Sequence, residues 1–299
     1  MTMKIFHRHW NHFWFRPVPP HALALMRIIF GAFLLLYWGL KAPQVPMLFS
    51  DHGLVLPYFP ATSFGPLAPL FPSALTVACI LFAIFYACLI LFTIGLQMRL
   101  AGLAAFLLYV YYWFLSLHLF NTSFDRLFLF TLLVLALSGA DRTLSFRAWR
   151  ESGDARSSVP VNILPQRLLM FQITIVYLGV ALQKLWLPDW QSGEILSYAR
   201  VGVWGSSAGN WVVARNWPMA FFDVSVFLIK FFELAMPFGL WIRSMQRWFM
   251  AGGVLFHVGI AILLDIWWFL VLIPAYVLFF EPEDVRSQTE RWRGSPNNN

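Results

Sequence analysis

YLGVALQKLWLPDW, residues 177–190, runs as hydrocarbon from Tyr177 and stops at Pro-Asp-Trp, with one lysine, Lys184, just before the stop. Followed back to Gln166, the same run gives an apolar segment at 166–187, long enough to cross a hydrocarbon core of about 30 Å as an α-helix. A charge at the centre of such a helix costs about 2.5–3.5 kcal/mol, so a lysine kept inside one calls for a reason. Composition extends the membrane reading to the whole chain. Of 299 residues 60% are hydrophobic and only 12% charged, against about 25% charged in a soluble domain. The 15 Trp and 31 Phe suit lipid contact and interfacial aromatic belts.

Apolar segments that cross, or nearly cross, the core lie at 22–40, 73–96, 100–119, 125–140, 166–187, 220–242, 247–264 and 266–281. The expected fold is an all-α, polytopic integral membrane helical bundle of about eight transmembrane helices, with seven as the alternative count for 247–281. A cytoplasmic N-terminus leaves only Lys41, Arg126, Arg200 and Arg215 in outside loops and Arg27, Lys184 and Lys230 within spans. Every other lysine and arginine then falls inside, which favours cytoplasmic N and C termini. On these bounds residues 1–21 are a basic, aromatic cytoplasmic segment, 22–281 the membrane domain and 282–299 a polar cytoplasmic tail. The first apolar stretch is too long for a signal-peptide core and contains Arg27, so it reads as a retained helix.

Several chemistries are disfavoured. The net charge of +7 is accounted for by loop arginines, with no long basic run, so no nucleic-acid partner is expected. Cys79 and Cys88 lie nine residues apart on opposite faces of one helix, about 13.5 Å apart in height, too far for a disulfide. No thiolate metal motif, HExxH, nucleophile elbow, Walker loop or dinucleotide glycine fingerprint occurs, so neither a metal nor a nucleotide cofactor is expected.

The polar residues inside or beside the spans carry the functional signal. Lys184 sits in the outer turn of its helix, where it reads either as an interfacial lysine or as part of a cavity wall. Tyr177, Val180 or Ala181, and Lys184 make one stripe, and a desolvated amine there suits a general base. His118, Asn121, Asp125, Arg126, Asp189, Asp223 and Asp265 mark the same outer level, either as a hydrated vestibule or as helix ends in water. The sixth segment carries Asp223, Lys230, Glu233 and Pro237. Spacing there pairs Lys230 with Glu233 at i, i+3, as a packing ion pair or a proton relay. His257 lies near mid-membrane, as an interhelical hydrogen-bonding residue or a ligand, and Arg27 is expected to snorkel or to pair. The outside loops at 41–72 and 188–219, rich in Pro, Gly and Trp, read as folded caps over a cavity.

Four stretches together resemble a known family. They are FRPVPPHALALMRIIFGAFLLLYW (15–38), FNTSFDRLFLFTLLVLALSGADRTLSF (120–146), YLGVALQKLWLPDWQSGE (177–194) and FHVGIAILLDIWWFLVLIPAYVLFF (256–280). The chain resembles, over residues 15–282, the transmembrane portion of the vitamin K-dependent gamma-carboxylase family, the horizontally transferred transmembrane (HTTM) domain. The lysine-leucine, two residues, Asp-Trp arrangement is its most specific element. The resemblance implies Lys184 as the base that deprotonates vitamin K hydroquinone or another reduced quinone, with Gln183 where the family has a first lysine. It implies oxygenation of the hydroquinone to a strong base, removal of a glutamate γ-proton and addition of carbon dioxide. Asp125 and Arg126 stand where the family has an Asn-His pair and, with His257, would orient or stabilise charge. Tyr177, Trp190 and His118 would contact the substrate.

The chain has no counterpart of the family's large extramembrane region, so the expectation narrows from protein carboxylation to quinol-type chemistry in a membrane chamber. Expected partners are membrane lipids and a lipid-soluble quinone-like molecule, and the expected location is a bacterial cytoplasmic membrane. A noncatalytic lipid- or partner-binding protein remains the alternative. A transporter built on Lys230 and Glu233 is a weaker third reading, because no inverted repeat is visible.

Overall fold

The computed structural model describes residues 2–54, 73–116 and 123–291. His118, Asn121 and most of the 41–72 loop lie outside the described residues. The fold is all-α, with a short antiparallel pair between β1 (Pro17–Val18) and β2 (Val161–Asn162). Two compact units divide it, Met1–Leu168 with Phe280–Asn299 and Leu169–Phe279. Among the described residues five helices are long and apolar enough to cross a membrane, at His21–Phe49, Leu75–Ile94, Met98–Ser116, Leu164–Trp186 and Gln246–Leu264. The His21–Phe49 stretch includes a short 3-10 turn at Ala42–Gln44.

The first unit contains α1 (Thr2–Phe15), α2 (His21–Gly39), α3 (Val45–Phe49), α4 (Leu75–Ile94), α5 (Met98–Ser116), α6 (Ser123–Leu137) and α7 (Phe146–Ser152). Helix α4 packs on both α2 and α5, and α5 on α6. The core centres on Trp38, whose ring meets Tyr109 edge-on at 4.9 Å and Phe85 at 5.0 Å. Outer faces are equally apolar: Ile80, Ile84 and Ile94 of α4 are exposed, as expected where hydrocarbon rather than water is the neighbour. The tail forms helix α14 (Pro282–Arg291), which packs on α2, and Glu281 before it meets Arg16 at 2.6 Å.

Arg27 departs from expectation. It neither snorkels to the interface nor meets a carboxylate, and is 0% exposed. Its guanidinium donates to the carbonyls of Phe92 (3.2 Å), Thr93 (2.5 Å) and Leu144 (2.6 Å). The reason lies in how α4 ends. Gly95 has φ +71°, and its N–H and that of Leu96 close a Schellman turn on Phe92 and Leu91. The terminal carbonyls that this turn leaves over lie in a water-poor interior and need a donor, and Arg27 supplies several from one side chain. A Cβ at Gly95 would lie 2.6 Å from the Arg27 Nη1.

The second unit contains α8 from Leu169 onward (α8 is Leu164–Trp186 in full), α9 (Glu194–Val201), α10 (Ser207–Ala214), α11 (Met219–Trp241), α12 (Gln246–Leu264) and the short α13 (Leu272–Ala275). The 188–219 stretch is folded, as its composition suggested. Helix α9 packs on α10, α11 and α12, its Leu196 clustering with Phe222 and Val226 of α11. The Ser206 hydroxyl, which caps α10, also donates to the Ile262 carbonyl near the end of α12.

The last apolar segment is not one helix. It runs as 3-10 turns at Trp267–Val271 and Tyr276–Phe279 on either side of α13. Pro274 lacks the N–H that an α-helix would direct at the Leu270 carbonyl, which breaks the regular ladder.

Candidate functional site

The α8 stop explains how Lys184 is held. Pro188 begins a 3-10 turn, Pro188–Trp190, that folds the chain back. Gln191 then donates from Nε2 to the Leu185 and Leu187 carbonyls at 3.0 Å each, capping the helix end. Trp190 is thereby turned beneath the lysine, with Nζ 4.1 Å from the ring centroid. A cation over an indole face is attracted by the ring quadrupole.

Both oxygens of Glu233 on α11 lie 2.7 Å from the Lys184 Nζ. The two side chains are 13% and 6% exposed, so this is a nearly dry, two-oxygen ion pair. It corrects the i, i+3 expectation. Lys230 turns away from Glu233 and donates to the Trp190 carbonyl at 2.9 Å, bracing the turn that carries the indole. Asp223, on the same helix, accepts from the Gly193 N–H at 2.7 Å and fastens the start of α9.

A second polar cluster lies on α8, α12 and the broken last segment. The Tyr177 hydroxyl is 2.6 Å from His257 Nε2 and 2.7 Å from the Tyr276 hydroxyl. His257 Nδ1 is buried and has no hydrogen-bond partner among the described residues. Either tautomer satisfies the Tyr177 bond. One leaves Nδ1 a bare lone pair and the other an N–H.

Members of both clusters line one cavity of about 290 Å³, close to the lower end of the ~300–1,000 Å³ range of small-molecule sites. Tyr177, Lys184, Trp190, Glu233 and His257 reach it, and the rest of its wall is apolar, including Val176, Ile229, Phe256, Ile260 and Phe269. It is therefore a greasy slot with an ion pair and a histidine in its wall.

Close packing holds the second cluster. A Cβ on Gly253, one turn before His257, would lie 2.1 Å from the Tyr276 hydroxyl. Gly253→Ala is expected to push Tyr276 off Tyr177 at a cost of about 1–3 kcal/mol. The result should be a lower unfolding temperature and a perturbed Tyr177 environment in ultraviolet difference spectra, with α-helical content unchanged. Tyr276→Phe should relieve part of the clash.

The HTTM domain family matches residues 15–284, most of the chain. This chain belongs to the HTTM family. Comparison with curated proteins and with solved structures finds no match. Membership establishes a membrane-associated domain, and the apolar helices fit a multi-pass protein in contact with lipid.

Four of the residues expected at the HTTM site, Lys184, Tyr177, His257 and Trp190, line the same cavity. Asp125 and Arg126 belong to the other unit. There Asp125 is buried and accepts from the Tyr109 hydroxyl at 2.8 Å, while Arg126, one residue on, is exposed. His118 lies outside the described residues. The carboxylate partner of Lys184 and the Tyr276 hydroxyl were not anticipated. A signal for the first existed, since two opposite charges in apolar segments each need compensation and are cheapest together. None existed for Tyr276, which sits in a segment read as regular helix.

Proposed function

We propose that this HTTM protein is a membrane enzyme in which the Lys184–Glu233 pair takes a proton from a lipid-soluble aromatic hydroxyl, a reduced quinone of the vitamin K type being the cofactor that best fits. The observation that carries the reading is the two-oxygen ion pair in the wall of an otherwise apolar cavity. Moving the ammonium proton onto Glu233 gives a neutral amine and a neutral acid with no change in total charge. In a low-dielectric site the loss of attraction is offset by relief of two desolvated ions. The freed amine accepts the hydroxyl proton, leaving an aryloxide beside the lysine ammonium and a protonated Glu233.

The apolar walls suit an aromatic ring, and Lys184, Glu233 and His257, which reach the same cavity, offer its hydroxyl polar company. A bound reduced quinone would contribute its oxidisable ring. The protein's share is to exclude water, hold the ring and relay the proton. Trp190 fixes the lysine head, and Tyr177 and Tyr276 orient His257.

We extend the reading to topology. Eight crossings with both termini cytoplasmic fit the charge distribution, with Trp267–Phe279 as the last. The rise of about 2.0 Å per residue in its 3-10 turns, against 1.5 Å in an α-helix, lengthens that short segment.

The test is turnover. Purified protein in detergent, given a reduced naphthoquinone and oxygen, is expected to form the epoxide. Glu233→Gln should lower the rate by about 10²–10⁴-fold, the usual contribution of positioned acid-base groups. A wild type with no quinol turnover, equal to the variant, would overturn the reading in favour of a noncatalytic lipid-binding protein.

A further inference from the structure

The first unit holds a second hollow, of about 300 Å³, whose lining includes Met98, Arg99, Leu137, Asp141, Arg142 and Arg147. It lies where α5 begins and α6 ends, which for two apolar membrane helices is the level of the lipid headgroups.

Charge in this hollow is unbalanced. Asp141 is taken by Arg147 (3.0 Å), and Arg147 is also held by Glu151 (2.9 Å). Arg142 donates only to the Pro160 carbonyl, at 3.3 Å. Among the described residues no carboxylate lies within ion-pairing reach of Arg142 or Arg99. Two guanidinium groups thus face an otherwise compensated pocket, and a helix has N–H groups without intrahelical partners in its first turn, here that of α5.

The surroundings distinguish a lipid from a soluble anion. Leu100 (68% exposed), Leu107 (66%) and Phe114 form an exposed stripe at seven-residue spacing along α5. Leu137, in the lining itself, and Phe130 repeat that spacing on α6. Beside the hollow, α7 exposes Phe146 and Trp149, side chains of the kind that settle at the membrane–water boundary. A cationic pocket from which two apolar stripes lead away has the polarity of a phospholipid, head to tail.

The geometry points to a bound anionic phospholipid, its phosphate between Arg99 and Arg142 and its acyl chains along the exposed stripes of α5 and α6. The site is separate from the quinol cavity, so it stands whether or not that reading does.

Native mass spectrometry of the full chain in detergent tests it, with phosphatidylglycerol, phosphatidylcholine and inorganic phosphate as probes. Phosphatidylglycerol should be held at least tenfold more tightly than phosphatidylcholine, because only the lipid with a net negative charge is answered by both arginines. Arg99→Gln with Arg142→Gln should abolish that preference, while Arg99→Lys with Arg142→Lys, which keeps both charges, should retain most of it. Arg215→Gln, in the other unit, should leave it unchanged. Equal affinity for the two lipids, or a double glutamine variant that binds like wild type, would overturn the assignment. So would displacement of the lipid by millimolar inorganic phosphate, which would make the hollow a soluble-anion site.

Discussion

Lys184→Met is expected to destabilise the protein by about 3–5 kcal/mol, because it strands the Glu233 carboxylate in a site that is almost dry. The Met side chain fills much the same volume, so packing loss contributes little. Adding Glu233→Leu should restore most of that stability, since replacing a buried pair by apolar residues of similar size is often neutral or favourable. Quinol turnover should stay lost in the double variant, which has an intact cavity wall and no proton acceptor. Chemical unfolding in detergent, run alongside the epoxide assay, separates the outcomes. Recovery of stability without activity is the signature of a pair kept for chemistry. A Lys184→Met protein as stable and active as wild type would remove both the structural and the catalytic roles.

Arg27→Met should be comparably severe. The Phe92 carbonyl keeps the Gly95 N–H, but Arg27 is what reaches the carbonyls of Thr93 and Leu144. Leaving two partly buried acceptors unmatched costs up to about 1–3 kcal/mol each, or about 2–6 kcal/mol in total at most. Arg27→Lys should recover only part, since one ammonium cannot reproduce the planar fork that reaches carbonyls from both α4 and the loop at Leu144. Limited proteolysis around residues 142–147 provides a local readout, because Leu144 is the loop's anchor to Arg27. Unchanged cleavage in Arg27→Met would show that the loop is held by other contacts.

The two sites differ in how far they could be read from residues alone. Lys184, Tyr177 and His257 announced themselves because a polar group in an apolar run has few innocent explanations. Glu233 is equally visible, yet spacing pairs it with Lys230 and not with Lys184, since spacing along one helix says which side chains are neighbours on that helix and nothing about the next one. The actual pairing depends on where the fold sets Lys184 of α8 and Glu233 of α11, whose side chains meet at 2.7 Å across the two helices. The turn at Pro188 then draws Trp190 under Lys184 and gives Lys230 a carbonyl to bind.

Sequence by itself determined the all-α membrane class, the approximate bounds of the long apolar helices and the residues worth suspecting, because hydropathy and helical period are local properties written in consecutive residues. Tertiary structure alone decided which suspects meet. It joined Lys184 to Glu233, set Tyr276 on Tyr177, turned Arg27 onto the end of α4 and gave Asp125 to Tyr109. Those contacts cross from one element to another, where a single side chain's choice is set by the packing of whole helices and by the need of every buried polar atom for a partner.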